Sequence, residues 1–114
     1  MPDKPTYWIG SAREDLRAFP KEARYKAGVQ LQAVQRGEEP ADFKPMSAIG
    51  RGTYEIRIRT NETYRIFYVA KFAEAVYILH AFQKKTQKTS KQDLKIGQQR
   101  YKEMLRHREE EKGQ

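Results

Sequence analysis

The stretch from Thr53 to Phe82 carries three strand-like runs in close succession, "TYEIRIRT", "TYRIFYVA" and "AVYILHAF". Runs rich in β-branched and aromatic residues, separated by a few turn-formers, fold as an antiparallel meander. The first alternates cleanly, with Tyr54, Ile56 and Ile58 on one side and Glu55, Arg57 and Arg59 on the other. Asn61 and Glu62 mark the turn into the second. One residue of register inverts every side chain, so the length of that loop decides where Arg65 points. A two-residue loop places Arg65 among the isoleucines. A three-residue loop sets Tyr64, Ile66 and Tyr68 beside Ile56 and Ile58, and groups Arg65 with Arg57 and Arg59. The three-residue loop is expected, because burying an unpaired guanidinium costs several kcal/mol, on the order of a small domain's whole stability margin.

The rest of the chain supplies layers for this sheet. "TYWI" (Thr6–Ile9), bounded by Pro5 and Gly10, reads as a first strand. Ser11 and Glu14 form an S-x-x-E capping box ahead of a helical face of Ala12, Leu16 and Phe19, and Pro20 ends that helix or opens the next. From Lys21 to Arg36, Ala23, Ala27, Leu31 and Val34 make a helical stripe, with Gly37 where a C-cap belongs. The segment Gly37–Gly52 has no sustained period and reads as a loop with buried anchors such as Phe43 and Met46. Ser90 and Asp93 open a last helix to about His107, largely solvated, with Leu94, Tyr101, Met104 and Leu105 on a narrow stripe. A length of 114 residues suits a single domain, 1–114, with residues 1–4 and 109–114 as disordered tails. Two helices are expected to cover the isoleucine face and to leave the arginine face open.

Charge gives that open face a purpose. The net charge of +8 is unevenly spread: +1 over residues 1–40, +6 over 41–92 and +1 over 93–114. No carboxylate occurs between Glu74 and Asp93, where Lys84, Lys85, Lys88 and Lys91 fall. Around Arg57, Arg59 and Arg65 the only interleaved carboxylate is Glu55. An uncompensated field of this kind attracts polyanions, chiefly nucleic acid. The bland reading of the lysines, a solvated linker that keeps a sheet edge from pairing, stands beside it.

Other classes find no support. The chain has no cysteine, hence no disulfide, thiolate metal site or cysteine nucleophile. His80 and His107 stand far apart without ligands at metal spacing, so neither a metal nor a cofactor is expected. His80 shares parity with Val76, Ile78 and Phe82 and reads as a core-edge histidine bonded to backbone. No phosphate-binding glycine loop or nucleophile elbow appears. Nothing resembles a signal peptide or a membrane span, so a cytoplasmic location is expected.

The pieces "KPM" with "GRGTYEIR", "YRIFY" and "FQKKTQKT", in this order, resemble the phage-derived, HigB-like branch of the RelE/ParE toxin superfamily. The likeness covers about residues 5 to 105. It implies an α/β (α+β) fold, a RelE-like β-α-α-β-β-β domain with a helical hairpin on a curved, mainly antiparallel sheet and a C-terminal helix. It implies also the toxin of a type II toxin–antitoxin pair, a ribosome-dependent endoribonuclease that cuts mRNA, partnered by an antitoxin with a helix-turn-helix domain. Carried over by position, the catalytic residues fall on Arg65, Lys84 and Lys85, and the RNA-binding ones on Arg57, Arg59 and Lys88. The tyrosine expected soon after the last basic residue is absent, and the nearest, Tyr101, lies on the final helix. A gyrase-poisoning toxin of the ParE kind and a basic nucleic-acid-binding module without catalysis are the alternatives.

Overall fold

The computed structural model describes residues 3–113. Its elements are β1 (Thr6–Trp8), α1 (Ala12–Arg17), α2 (Lys21–Gln35), β2 (Phe43–Pro45), β3 (Thr53–Arg59), β4 (Thr63–Val69), β5 (Val76–Lys84) and α3 (Lys91–Lys112). The strands form one sheet in the order β1-β5-β4-β3-β2. β1 runs parallel to β5, and the other neighbours are antiparallel.

The meander forms with the expected register. Thr60, Asn61 and Glu62 link β3 to β4, and Ile56 faces Ile66, Ile58 faces Tyr64 and Arg57 faces Arg65. The Thr60 N–H donates to the Glu62 carbonyl at 2.8 Å, which closes the loop on itself. On the isoleucine side, α1, α2 and the turn between them bury Leu16, Phe19, Leu31 and Val34 against Ile56, Ile58, Ile66 and Ile78. Ala23 and Ala27 are wholly buried, and their small side chains let α2 lie close to the sheet. Gly37 ends α2 in the left-handed region at φ 84°, where a side chain would be strained. The Glu38 N–H donates to the Ala33 carbonyl and the Gly37 N–H to that of Val34, the double closure of a Schellman motif.

Several expectations are corrected. Within the segment read as loop, Phe43–Pro45 adds a fifth strand, with Lys44 opposite Glu55. Three residues are too few to show a period, and a strand on the sheet's edge accommodates Pro45. Ile49 is the fully buried anchor there, whereas Phe43 and Met46 are half-buried. Ser11 does not cap α1: its hydroxyl donates to Asp15 Oδ2 and accepts from Arg100 Nη2, each at 2.8 Å, so a cation of α3 competes for it. Ser90 does cap α3, accepting from the Asp93 N–H at 3.1 Å. That helix continues through Lys112, past the expected start of a tail at residue 109, and Lys4 is bonded to the Ala70 and Phe72 carbonyls. Of those tails, residues 1, 2 and 114 lie outside the described residues.

The largest difference is on the opposite face, which is not left open. There α3 closes a second core of Ile9, Ile49, Phe67, Val69, Tyr77, Leu79, Phe82 and Met104. A stripe as narrow as that of α3 can seal a face only if the helix approaches closely, and Gly97 allows this. A Cβ at Gly97 would stand 3.0 Å from side-chain atoms of both Ile49 and Phe67. Leu105, expected on the stripe, is 39% exposed instead.

A bulge makes that core possible. β4 pairs Phe67 with His80 but Tyr68 with Ile78, so Leu79 is an extra residue in β5. Parity therefore breaks inside β5. Val76 and Ile78 face the α1–α2 side, while His80 stacks on Phe82 at 4.7 Å between ring centroids and lies beside Phe67 on the α3 side. His80 bonds to Asp93 of α3, Nε2 to Oδ1 at 2.8 Å, and not to backbone. Among the described residues no helix is long and apolar enough to cross a membrane.

Replacing Gly97 by valine forces the α3 backbone away from Phe67. We expect Gly97→Val to lower unfolding stability by about 1–3 kcal/mol, read as a lower urea midpoint at unchanged slope.

Candidate nucleic-acid interface

At the end of the sheet that α3 does not cover, side chains of β2, β3, β4 and β5 converge on the same face. Glu55 is their centre. It is 0% exposed, and its Oε1 lies 3.0 Å from Arg65 Nε and 3.9 Å from both Lys44 Nζ and Arg57 Nε. Thr89, just ahead of α3, donates its hydroxyl to Glu55 Oε2 at 3.3 Å. The chain leaving β5 at Lys84 thus returns past β4 to touch β3.

Arg65, expected on an open face, is only 6% exposed. The cost of burial is met by the nearby carboxylate. Desolvation draws its guanidinium below its ordinary value, with Glu55 opposing, but an arginine so shifted is still a cation. The pairing is incomplete. Although Arg65 and Glu55 are in ion-pair contact, they are not aligned for a hydrogen bond, and Arg65 Nε and Nη1 are buried without a partner.

Arg57 and Arg59 are not left with Glu55 alone, as the sequence suggested. Asp42, just before β2, takes Arg57 Nη1 at 3.6 Å and Arg59 Nε at 3.4 Å. Lys84 stands opposite Thr63, one step along the same face from Arg65. Its ammonium is held below the usual lysine range by burial first and by Arg65 next. Five cations, Lys44, Arg57, Arg59, Arg65 and Lys84, so share two carboxylates, Glu55 and Asp42, for a net charge of +3.

Of the residues singled out from sequence, Arg57, Arg59, Arg65 and Lys84 come together. Lys85 and Lys88 are exposed on the turn between β5 and α3, where Thr86 donates to the Lys88 carbonyl at 2.6 Å. Tyr101 is elsewhere: its ring packs on Gly50, where a Cβ would stand 2.4 Å away, and its hydroxyl donates to the Arg51 carbonyl. Lys44, Asp42 and Thr89 were missed because only cross-strand register and the return of the chain bring them to Glu55. The one available signal was "DFKP", a short alternation beside the meander.

Residues 14–102 match the family described as "Phage derived protein Gp49-like (DUF891)", a span that takes in the whole cluster. The chain belongs to this Gp49-like family. It is a RelE/HigB-type toxin family, in line with the resemblance carried by the "YEIR", "YRIFY" and "KKTQKT" segments. Among solved structures, the Gp49-like chain is similar to the toxin–antitoxin complex RelBE2 from Mycobacterium tuberculosis, at 23% identity and a TM-score of 0.49, over 72% of this chain and 99% of that one. Comparison with curated proteins gives no match.

Removing the charge of Glu55 strands three cations around a neutral amide. We expect Glu55→Gln to cost about 3–5 kcal/mol in urea unfolding, with part of the loss restored by inorganic sulfate. His80 gives a pH signature. Burial holds its imidazole below the ordinary 6.5 despite Asp93, so below pH 6.5 the unfolded chain binds a proton that the folded ring refuses. Stability is full above that pH and falls as pH drops, until the folded ring protonates too. The fall in melting temperature from about pH 7 to about pH 5.5 is therefore expected to be smaller in His80→Gln than in the parent chain.

Proposed function

We propose that this Gp49-like chain is the toxin of a type II toxin–antitoxin pair and an endoribonuclease that cuts mRNA at the ribosome. The observation that carries the reading is Arg65, a guanidinium in ion-pair contact with Glu55 and beside Arg57 and Lys84, at the centre of a cluster in which cations outnumber carboxylates. A phosphodiester adds the negative charge this cluster lacks, and a guanidinium is the group that meets two of its oxygens at once. Family membership supports the toxin reading, and the net positive patch supports a polyanionic substrate.

The chemistry follows from the groups. The 2′-oxygen attacks the adjacent phosphorus as a base takes its proton, and the P–O5′ bond breaks as an acid protonates the leaving oxygen. The products are a 2′,3′-cyclic phosphate and a 5′-hydroxyl. Arg65 stabilises the extra negative charge of the phosphorane, and its fixed position limits reorganisation as that charge develops. Lys84, drawn below the usual lysine range by burial and by Arg65, gives up its proton more readily than a free lysine and is assigned the proton transfer, with Lys85 beside it in the chain. Arg57, Arg59 and Lys88 hold the strand. The partner that silences the chain is an antitoxin with a helix-turn-helix domain, and both act in the cytoplasm.

Expression in growing cells with mapping of mRNA 5′ ends tests this. In-frame cuts in translated messages are expected from the parent chain. Arg65→Lys keeps the charge beside Glu55 but loses the fork, and should cut about 100- to 1,000-fold more slowly with its circular dichroism unchanged. Lys84→Ala and Lys85→Ala should lose toxicity. Full toxicity in all three, or DNA damage in place of cut messages, rejects the reading. Binding to a single strand, with about four phosphates neutralised, should weaken with salt at a log–log slope near about −3.

A further inference from the structure

Among the described residues four large apolar side chains are exposed: Tyr7, Tyr25, Val29 and Leu105. Two of them share one groove. Tyr25, 74% exposed, and Val29, 42% exposed, stand one helical turn apart on α2 and line a cavity of about 260 Å³ together with Lys26, Ala41, Arg57 and Arg59.

The groove arises where the sheet's edge is bare. β2 begins at Phe43, opposite Ile56, so Ile58 and Arg59 at the end of β3 have no strand beyond them, and α2 faces that gap. Its walls are tied. Lys26 Nζ donates to the Arg59 carbonyl at 2.8 Å, and the Ala41 N–H donates to Gln30 Oε1 at 2.7 Å. The apolar surface is thus a standing feature, edged by cations. Arg59, whose side chain is 66% exposed, shares Asp42 with Arg57, so two cations answer one carboxylate there, and Arg57 both lines the groove and faces Arg65 across the β3–β4 ladder.

An aromatic ring in solvent beside a cationic track is the composition that single-stranded nucleic acid recognises, with phosphates on the cations and a base on the ring. We propose that the groove between α2 and the end of β3 is a nucleobase subsite, in which a single-stranded RNA lays one base on Tyr25 while its phosphates lie on Arg57 and Arg59. The proposal rests on the RNA-cleaving reading above and names a further contact of the same strand. The size suits one planar base better than a folded segment of a protein. Arg57 joins the two places, so the base on Tyr25 belongs to a nucleotide near the one held at Arg65, and the stacking contact helps to set where the strand is cut.

The test uses the full chain and a short oligoribonucleotide made uncleavable by 2′-deoxy substitution, with affinity measured by fluorescence anisotropy over a range of salt. Tyr25→Ala should bind about 5- to 150-fold more weakly than the parent at an unchanged salt slope. Tyr25→Phe, which keeps the ring, should bind like the parent. Arg59→Gln should flatten the salt slope. An abasic site walked along the oligomer should cost affinity at one position in the parent and at none in Tyr25→Ala. If Tyr25→Ala binds as the parent does while the salt slope is normal, the subsite is rejected and the functional reading stands. If the parent itself shows no salt-dependent binding, both fall. Loss of antitoxin binding in Tyr25→Ala with RNA affinity intact gives the groove to the protein partner and overturns the proposal.

Discussion

A single carboxylate without solvent, Glu55, holds the working end of the molecule together. A buried charge is tolerated only when it is surrounded by its opposites, and Glu55 gathers Arg65 from β4, Arg57 from its own strand and Lys44 from β2. Its second oxygen takes the Thr89 hydroxyl and so fastens the lysine-bearing turn over the sheet. Four separate pieces of chain depend on one side chain. The cations around it outnumber the carboxylates, so the cluster is compact enough to be stable yet keeps an appetite for a further anion.

The sheet has to be rigid for that cluster to keep its spacing, and it is clamped from both faces. The α1–α2 side is a conventional apolar layer. The α3 side combines a smaller core with polar ties: Arg100 donates to the Leu79 carbonyl at 3.1 Å and to Ser11, and His80 holds Asp93 at the start of the helix. Farther along, Arg108 lies over the Phe72 ring and bonds Glu74, whose carboxyl it draws down to about 2. The bulge at Leu79 lets β5 serve both layers, giving Ile78 to one and Phe82 to the other. Seen this way, the end of α3 nearest the cluster is anchored by His80 and Thr89, and the turn that carries Lys85 and Lys88 is short and held at both ends.

Much of this was readable from local pattern. The β3–β4 register was reached from the cost of setting Arg65 among the isoleucines, and it holds, although Arg65 is buried on the other face, beside Glu55. The α2 stripe and the glycine after it announced a helix and its stop. The cluster was half legible: Arg57, Arg59, Arg65 and Lys84 were named from alternation and charge, but not Asp42 or Lys44, which lie in a segment too irregular to show a period. The β5 parity failed at His80, since an inserted residue leaves no mark in composition. The face given to solvent turned out to be covered, because the closeness that makes α3 a core helix resides in one glycine and not in a broad apolar stripe.

What the sequence alone determined is therefore the set of short-range facts: the alternation that makes strands, the loop that sets their pairing, the stripe and caps that make helices, and the surplus of cations in the middle of the chain. Only the tertiary structure decided which cations meet, how deeply Arg65 is buried and which carboxylate answers it. Local propensities act over a few residues, whereas a buried charge is balanced by whatever the folded chain brings within a few ångströms. For Glu55 that meant Lys44, Arg65 and Thr89, from three other places along the sequence.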